Sequence, residues 1–309
     1  MTVLRPRAIF IAGPTASGKT DLAIELYKTG QFEIISVDSA LVYRGMDIGT
    51  AKPDAQTLQE TPHYLIDICE PTEAYSAARF VEDARELMSR ITSAGHIPVL
   101  VGGTMLYYRS LQFGLSDLPE SSPELRRQLE NELEELGLAA LHEKLRLVDP
   151  DICERIHPND PQRIMRALEV YQLTGEPLSR LQSRSGEQVL EYDLLKFAIA
   201  PSDRSLLHKR IEMRFAQMME QGFEEEVRGL MAREGMHADL TSMRSVGYRQ
   251  MLMYLQGQYT KQEMIERSII ATRQLAKRQF TWLRADHEYQ WLDSEQTNKA
   301  KKIMGIISQ

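Results

Sequence analysis

Residues Gly13–Thr20 are the feature that most limits what this chain can fold into. The run GPTASGKT fits the pattern G-x-x-x-x-G-K-[ST] of a phosphate-binding loop, or P-loop. Glycines let the backbone curl until successive N–H groups point at one anion, and the helix that follows adds its positive end. We therefore expect a diphosphate to be held by Gly13, Pro14, Thr15, Ala16, Ser17, Gly18, Lys19 and Thr20.

Two side chains at the end of this loop have distinct roles. Lys19 supplies a mobile positive charge to the distal phosphate, and the Thr20 hydroxyl is a candidate ligand of a Mg²⁺ ion that bridges phosphate oxygens. The alternative is a glycine-rich turn with a surface lysine. The motif does not choose a reaction, because a kinase, a GTPase and a prenyltransferase that uses an allylic diphosphate can all contain it.

Strand and helix patterns alternate around the P-loop. Buried strands are predicted at 7–12, 33–37, 64–68, 97–101, 194–200 and 289–292. Helices are predicted after the P-loop and at 77–92, 202–221, 223–234 and 260–284. This alternation predicts an α/β fold with a P-loop NTPase-like parallel sheet core flanked by helices.

The middle of the chain has a different pattern, in which helix follows helix from about Asp117 onward. Ser121–Glu124 predicts a helix start with a serine cap and an early proline. Asp160-Pro161 starts another helix, and Thr174-Gly175 ends it. We predict a small all-helical domain at 117–191, inserted into a core made of 1–116 and 192–309.

The composition of the chain limits the kinds of partner and environment that we expect for it. The 309 residues carry a formal net charge of −7, which argues mildly against an unaided polyanion binder, because phosphate contacts need positive charge. We find no run of eighteen or more apolar residues, so we expect neither a membrane span nor a secretory signal. Cys69 and Cys153 are expected to be reduced thiols in a cytoplasmic protein.

Further motifs lie at Asp38–Pro53, Gly102–Tyr107, Asp160–Glu169, Ser245–Gln250 and Lys277–Arg284. Together with the P-loop, they resemble the signatures of the tRNA dimethylallyltransferase family, also called the tRNA isopentenyltransferase or IPP transferase family. The resemblance runs along essentially the whole chain, although the family often has Gln in place of Leu41 and Gly in place of Met105.

The resemblance implies a reaction. A dimethylallyl group would pass from dimethylallyl diphosphate to the exocyclic amine (N6) of the adenine that is 3′-adjacent to the anticodon. The substrates would be tRNAs that read codons beginning with U, and Mg²⁺ would be required. We expect a monomer that needs no obligate protein partner and no membrane.

Three residues are candidates for catalysis. Asp38 follows a predicted strand and can take the proton of the adenine amine, with a metal ligand or a helix cap as its alternative roles. Thr104 also follows a strand, and its hydroxyl can bind the bridging phosphate oxygen or the base, or cap a helix. Arg214 matches a family arginine that is expected to clamp the diphosphate, although Arg210 one turn away also suggests a solvated face.

Basic residues suggest where tRNA binds. From Ser268 to Ala285 there are four of them and no Asp or Glu, and Arg273, Lys277 and Arg284 fall on one helix face. Arg163 and Arg166 make a second small patch, and Tyr248 and Trp282 are candidates to stack on bases around a flipped adenine. With the residues implied by the resemblance, the expected tRNA contacts are Asp38, Ser39, Ala40, Leu41, Thr104, Arg126, Gln162, Arg163, Ile164, Met165, Arg166, Met243, Arg244, Ser245, Val246, Gly247, Tyr248, Arg273, Lys277, Arg278, Thr281, Trp282, Leu283 and Arg284.

The main alternative is a nucleotide or small-molecule kinase, in which the inserted domain would act as a lid. A kinase explains the basic helix and Asp38–Pro53 poorly. A non-enzymatic P-loop switch is weaker still, because we find no base-reading NKxD motif.

Overall fold

The computed structural model of the protein describes residues 5–115, 118–183 and 190–307. Within them, the strands are β1 (Arg7–Ala12), β2 (Phe32–Val37), β3 (His63–Tyr64), β4 (Ile97–Gly102), β5 (Asp193–Ala200) and β6 (Gln290–Asp293). All pair in parallel, in the order β3-β2-β4-β1-β5-β6. The strand that leads into the P-loop therefore lies inside the sheet, and the predicted α/β class is confirmed.

Helices cover both faces of this sheet. In the described residues, those of the sheet-bearing unit are α1 (Lys19–Tyr27), α2 (Ala55–Glu60), α3 (Ala77–Ser93), α4 (Met105–Phe113), α10 (Arg204–Glu220), α11 (Phe223–Met231), α12 (Tyr248–Leu255), α13 (Lys261–Ala285) and α14 (Lys299–Ile307). Ile9 and Ile11 of β1 pack with α1 and α14, while Phe10 between them contacts Tyr108 of α4, with ring centroids 4.9 Å apart. Burial on both faces explains why β1 is apolar from Ala8 to Ala12.

Residues Leu111–Leu190 form a separate compact unit. Its described helices are α5 (Pro123–Leu136), α6 (Leu138–Val148), α7 (Pro150–Arg155), α8 (Pro161–Thr174) and α9 (Leu178–Ser183), around a leucine- and isoleucine-rich core. The Ser122 hydroxyl caps α5, the Asp160 carboxylate caps α8, and Gly175 ends α8 in the left-handed conformation. The boundary predicted at Asp117 lies outside the described residues.

One predicted strand is wrong. The chain pairs with β2 only at His63 and Tyr64, instead of over 64–68. Leu65 and Asp67 adopt φ values of 66° and 55°, a left-handed conformation that turns the chain away from the sheet. The Lys52 ammonium is hydrogen-bonded to the Asp67 carboxylate and holds this turn against the segment that follows β2.

Among the described helices, none is both long enough and apolar enough to cross a membrane. Sequence patterns did not predict α2, α4, α12 or α14. α4 contains Tyr107 and Tyr108, residues of a type that favours strands, and both are buried.

Candidate active site

The P-loop connects the end of β1 to the start of α1. Ala16 and Gly18 have φ values of 63° and 82°, which curl its backbone. A Cβ atom at Gly13 would lie 2.4 Å from the carbonyl oxygen of Ile199 and 2.6 Å from the Ser17 Oγ, so this position excludes a side chain. The Ser17 hydroxyl is buried and has no hydrogen-bond partner in the described parts of the chain. A buried unpaired hydroxyl in such a curl fits a bound phosphate oxygen.

Lys19 is half-buried at the start of α1, and its Nζ donates to the carbonyl oxygen of Pro14 at 3.2 Å. Burial lowers the pKa of Lys19 to about 8, from an ordinary value of 10.5. The Asp38 carboxylate opposes this shift and the Arg214 guanidinium adds to it. A desolvated lysine beside an arginine is stabilised by an anion, so the electrostatics favour a bound diphosphate.

Arg214 reaches the same region from α10. Its Nη2 donates to the carbonyl oxygen of Thr50 at 2.8 Å, and burial lowers the pKa of the guanidinium while Asp38 raises it. A cavity of about 620 Å³ is lined by Lys19, Thr20 and Arg214, together with the exposed Met213. Its volume is in the range of small-molecule sites.

Asp38 directly follows β2. Its Oδ1 accepts hydrogen bonds from the backbone N–H groups of Ala40 at 2.9 Å and Leu41 at 3.4 Å. These bonds fix the carboxylate at the carboxyl end of the sheet, where open α/β sheets bind their ligands. The charge of Asp38 acts on the pKa of both Lys19 and Arg214, so the structure brings these three groups together.

Thr104 follows β4, the strand next to β2. Its hydroxyl accepts the backbone N–H of Ser39 at 3.0 Å, and its own N–H donates to the carbonyl oxygen of Val37 at 3.2 Å. Thr104 is thereby held beside Asp38. Its carbonyl oxygen also accepts the N–H of Tyr107 in the first turn of α4, so the expected structural role at the helix start coexists with a position in the site.

Two residues that no sequence motif indicated as functional hold the site together. The Glu226 carboxylate accepts the backbone N–H groups of Asp47, Ile48 and Gly49 at 2.9, 2.7 and 3.1 Å, and the Tyr248 hydroxyl at 2.5 Å. Thr50, the next residue, presents its carbonyl oxygen to Arg214. Glu226 lies in an acidic triplet on an amphipathic helix, a pattern typical of a solvated face.

Gln279 is the second of these two residues. Its side chain is buried and joins the P-loop to the turn after β4, through hydrogen bonds to Thr15 and Gly103. Gln279 belongs to the motif Lys277–Arg284, but that segment is dominated by basic residues, so the motif did not indicate a role for the amide.

No group of three or more His, Cys, Asp or Glu side chains in 5–115, 118–183 and 190–307 could hold a metal ion. The Thr20 hydroxyl in the first turn of α1 and the Asp38 carboxylate are the candidate oxygen ligands beside the proposed diphosphate site. Mg²⁺ usually keeps several waters and binds one or two protein ligands plus substrate phosphates. The residues present therefore fit a Mg²⁺ ion that arrives with a diphosphate.

A model of the IPP transferase family matches residues 41–286. The chain belongs to this family. The predicted resemblance is thereby confirmed, and the protein is a prenyl-transferring enzyme.

Three solved structures of related enzymes each align with 98% of this chain. A tRNA isopentenylpyrophosphate transferase from Bacillus halodurans is 37% identical, with a TM-score of 0.70 over 98% of this chain and 95% of that one. A tRNA delta(2)-isopentenylpyrophosphate transferase from Staphylococcus epidermidis is 35% identical, with a TM-score of 0.70 over 98% and 99%. A eukaryotic dimethylallyltransferase that acts on tRNA is 28% identical, with a TM-score of 0.81 over 98% and 79%. These similarities do not favour the kinase alternative.

The basic residues of α13 that are predicted to bind tRNA differ in whether their charges are free in this IPP transferase family member. Lys277, Arg278 and Arg284 are exposed, as expected. Arg273 instead forms an ion pair with Glu212 of α10. The stretch Ser268–Ala285 itself contains no Asp or Glu, but another helix supplies an acidic partner, so the charge of Arg273 is not free.

The two aromatic residues that are predicted to stack on bases differ in their exposure. Tyr248 is completely buried and packs edge-on against Phe223, with ring centroids 5.0 Å apart, so its ring is not available to a base. Trp282 is 36% exposed, and the Arg109 guanidinium lies 5.7 Å from its ring centroid. Trp282 is thus the exposed aromatic residue of the pair.

The remaining residues predicted to contact tRNA differ in exposure. Ile164, Met243, Gly247 and Leu283 are buried and support the fold, while Ala40, Leu41, Met165, Ser245 and Val246 are half-buried. Ser39, Arg244 and Thr281 are exposed in the sheet-bearing unit, and Arg126, Gln162 and Arg163 are exposed in the helical unit. Arg166 donates to the buried carboxylate of Glu169 and to the carbonyl oxygen of Pro119, so it stabilises its own unit instead of forming a free basic patch with Arg163.

Glu226→Gln is expected to weaken the binding of inorganic diphosphate by about tenfold. An amide has one acceptor oxygen where the carboxylate has two, so the segment before Thr50 loses acceptors and the Thr50 carbonyl that accepts from Arg214 is held less firmly. Loss of one charge-assisted hydrogen bond corresponds to about this factor. Calorimetric titration measures the affinity, and Glu225→Gln, an exposed neighbour on the same helix, is the control. Equal affinities for the two variants would contradict the role given to Glu226.

Proposed function

We propose that the enzyme transfers a dimethylallyl group from dimethylallyl diphosphate to N6 of the adenine 3′-adjacent to the anticodon, in tRNAs that read codons beginning with U. One observation carries the proposal. In a member of the IPP transferase family, two desolvated cations, Lys19 of the P-loop and Arg214 of α10, line one cavity, and the charge of the Asp38 carboxylate acts on both.

The proposed transfer breaks the bond between the allylic carbon and the diphosphate oxygen and forms a bond from that carbon to N6. The electron pair of the broken bond stays on the diphosphate, so negative charge grows where the P-loop N–H groups, Lys19 and Arg214 converge. Groups that interact more strongly with this growing charge than with the bound substrate accelerate the reaction.

Asp38 is proposed to take the proton that N6 loses as the carbon–nitrogen bond forms. Its Oδ1 is held by two backbone N–H groups, which fixes the direction of the carboxylate. Thr104, held beside it through Ser39, is proposed to bind the bridging phosphate oxygen or the base. Arg214 is the proposed diphosphate clamp.

Members of this family are prenyl transferases, which generally need a divalent metal. Mg²⁺ is the proposed ion, with the Thr20 hydroxyl as its protein ligand. When bound, it would neutralise charge on the leaving diphosphate. Lys19 and Arg214 would still position the diphosphate from the protein side.

The proposed tRNA contacts of the sheet-bearing unit are Lys277, Arg278, Trp282 and Arg284 of α13. Those of the helical unit, taken by itself, are the exposed Arg126, Gln162 and Arg163. In the described residues, Lys277 and Arg278 have no acidic partner, so their charges are available to phosphates. We also propose that 117–191 acts as the tRNA-contacting domain, and that the enzyme works as a cytoplasmic monomer.

The function is tested by incubating the protein with labelled dimethylallyl diphosphate, Mg²⁺ and an unmodified tRNA that reads a codon beginning with U. Label is expected in the RNA and is expected to disappear when guanosine replaces the adenosine next to the anticodon. Label that is absent from the RNA, or unaffected by this replacement, would refute the proposed function.

Replacing Lys277, Arg278 and Arg284 together with Gln is expected to weaken tRNA binding and leave the affinity for inorganic diphosphate unchanged. If each residue binds a phosphate, the slope of log affinity against log salt becomes shallower by about 0.7–0.9 for each charge removed. Binding is measured at several salt concentrations. Arg273→Gln is the matched control, because the charge of Arg273 is already paired with Glu212. A salt slope that the triple variant shares with the parent would show that tRNA binds elsewhere.

A further inference from the structure

The side chain of Gln279 uses both ends of its amide inside the protein. Oε1 accepts the backbone N–H of Thr15 at 3.0 Å, and Nε2 donates to the carbonyl oxygen of Gly103 at 2.8 Å. The residue is only 7% exposed. One side chain of α13 therefore connects the P-loop after β1 to the turn after β4.

The contact at Gly103 is too close to allow a side chain there. A Cβ atom on Gly103 would lie 2.4 Å from the Gln279 Nε2 and 3.4 Å from the carbonyl oxygen of Gly13. The P-loop, the turn and the amide therefore approach one another at van der Waals distance, and their spacing depends on what stands at position 279.

The next residue after Gly103 is Thr104, whose hydroxyl accepts the N–H of Ser39. A continuous path of covalent and hydrogen bonds thus runs from Thr15 through Gln279 and Gly103 to Thr104, and from there to the segment that begins at Asp38. The amide of Gln279 is therefore linked to both the P-loop and the segment that contains Thr104.

The chemistry of the two partners explains why this side chain is an amide. The N–H of Thr15 only donates and the carbonyl of Gly103 only accepts, so the bridging group must present one acceptor and one donor. A carboxylate would place an acceptor against the Gly103 oxygen, and an apolar side chain of similar size would leave both backbone groups without their partners.

We propose that Gln279 is a positioning residue that sets the spacing between the bound diphosphate and Thr104. The proposal rests on the proposed function, because it assumes that Thr104 interacts with the reacting groups. Gln279 itself touches neither substrate and acts through the two backbone groups that it joins.

The first test is a double-mutant cycle with Gln279→Met and Thr104→Val, read as the single-turnover rate of transfer to tRNA at saturating substrates. Gln279→Met keeps the side-chain volume and is expected to lower the rate by about 10- to 100-fold, because a displacement of about 1 Å can cost about 100-fold. The affinity for inorganic diphosphate is expected to change by less than this rate does. Thr104→Val is expected to have little further effect once Gln279 is Met, because Thr104 is then already misplaced.

Gln274→Met is the matched control, since Gln274 is exposed on the same helix. An equal factor for Thr104→Val in both backgrounds, or an equal loss from Gln274→Met, would overturn the proposal. Transfer by the parent protein is measured first. A parent that labels no tRNA refutes the proposed function, whereas an active parent with an additive cycle refutes the role of Gln279 alone.

Gln279→Glu provides a second measurement, the pH dependence of the transfer rate, which a purely structural role would leave unchanged. The same variant is used if Gln279→Met does not fold. Protonation of the new carboxyl group restores a donor toward the carbonyl of Gly103. The ratio of variant rate to parent rate is therefore expected to rise as the pH falls. A ratio that is independent of pH in folded protein would overturn the proposal.

Discussion

Asp38→Asn is expected to lower the single-turnover rate of dimethylallyl transfer by about 10²–10⁴-fold, the usual cost of losing a general base. The amide oxygen of Asn can still accept the N–H groups of Ala40 and Leu41, so the backbone after β2 keeps its position. What the variant loses is the capacity to take the proton of N6. Rates are measured at saturating substrates with tRNA labelling as the readout.

The same variant also loses a negative charge that raises the pKa of Lys19. Binding of dimethylallyl diphosphate is therefore measured separately and is expected to change far less than the rate. Asp21→Asn, at an exposed carboxylate in the first turn of α1, is the control for a loss of charge close to the P-loop. A near-normal rate for Asp38→Asn would remove this residue from the chemical step.

Lys19→Met is expected to lower the rate by about 10²–10³-fold and to weaken diphosphate binding as well. The reason is that the leaving group carries more negative charge in the transition state than in the bound substrate, so loss of the ammonium affects the transition state more. Single-turnover rates and calorimetric affinities separate the two effects. A rate that stays unchanged at saturation would limit Lys19 to substrate binding.

The lowered pKa of Lys19 predicts that the affinity for diphosphate depends on pH. Only the protonated ammonium attracts the diphosphate, so the affinity of the parent protein is expected to fall as the pH rises through about 8. Lys19→Met is expected to lose this dependence. Lys28→Met, just beyond α1, should keep it, because Lys28 is exposed and lies at the opposite end of α1 from the P-loop. A parallel decline in parent and Lys19→Met would assign the titration to another group.

Signals that lie within a short stretch of sequence predicted the fold well. The P-loop follows a buried strand, the cap residues Ser122, Asp160 and Thr260 each begin a helix, and apolar runs mark the inner strands. The strand expected at 64–68 failed because its apolar pattern does not reveal the left-handed turns at Leu65 and Asp67. Those turns are stabilised by the distant Lys52.

Within the site, the sequence indicated the side chains that are expected to act on a substrate. It did not indicate the side chains that hold the surrounding backbone in place. Glu226 and Gln279 contact backbone atoms of segments that are far away along the chain. The pairing of Arg273 with Glu212 and the burial of Tyr248 likewise depend on how separate helices pack. Periodicity on one helix describes the faces of that helix and contains no information about the neighbour that covers them.

The order of the strands has a consequence for how the chain folds. Strand β1 pairs with both β4 and β5, with Arg7 beside Asp193. Along the chain, β4 precedes the helical unit and β5 follows it. During synthesis, β1 leaves the ribosome long before β5 exists, whereas the helical unit has contacts that are local in sequence. The apolar strand that leads into the P-loop can therefore pair with β4 early, but one of its edges stays unpaired until the helical unit and β5 have been made.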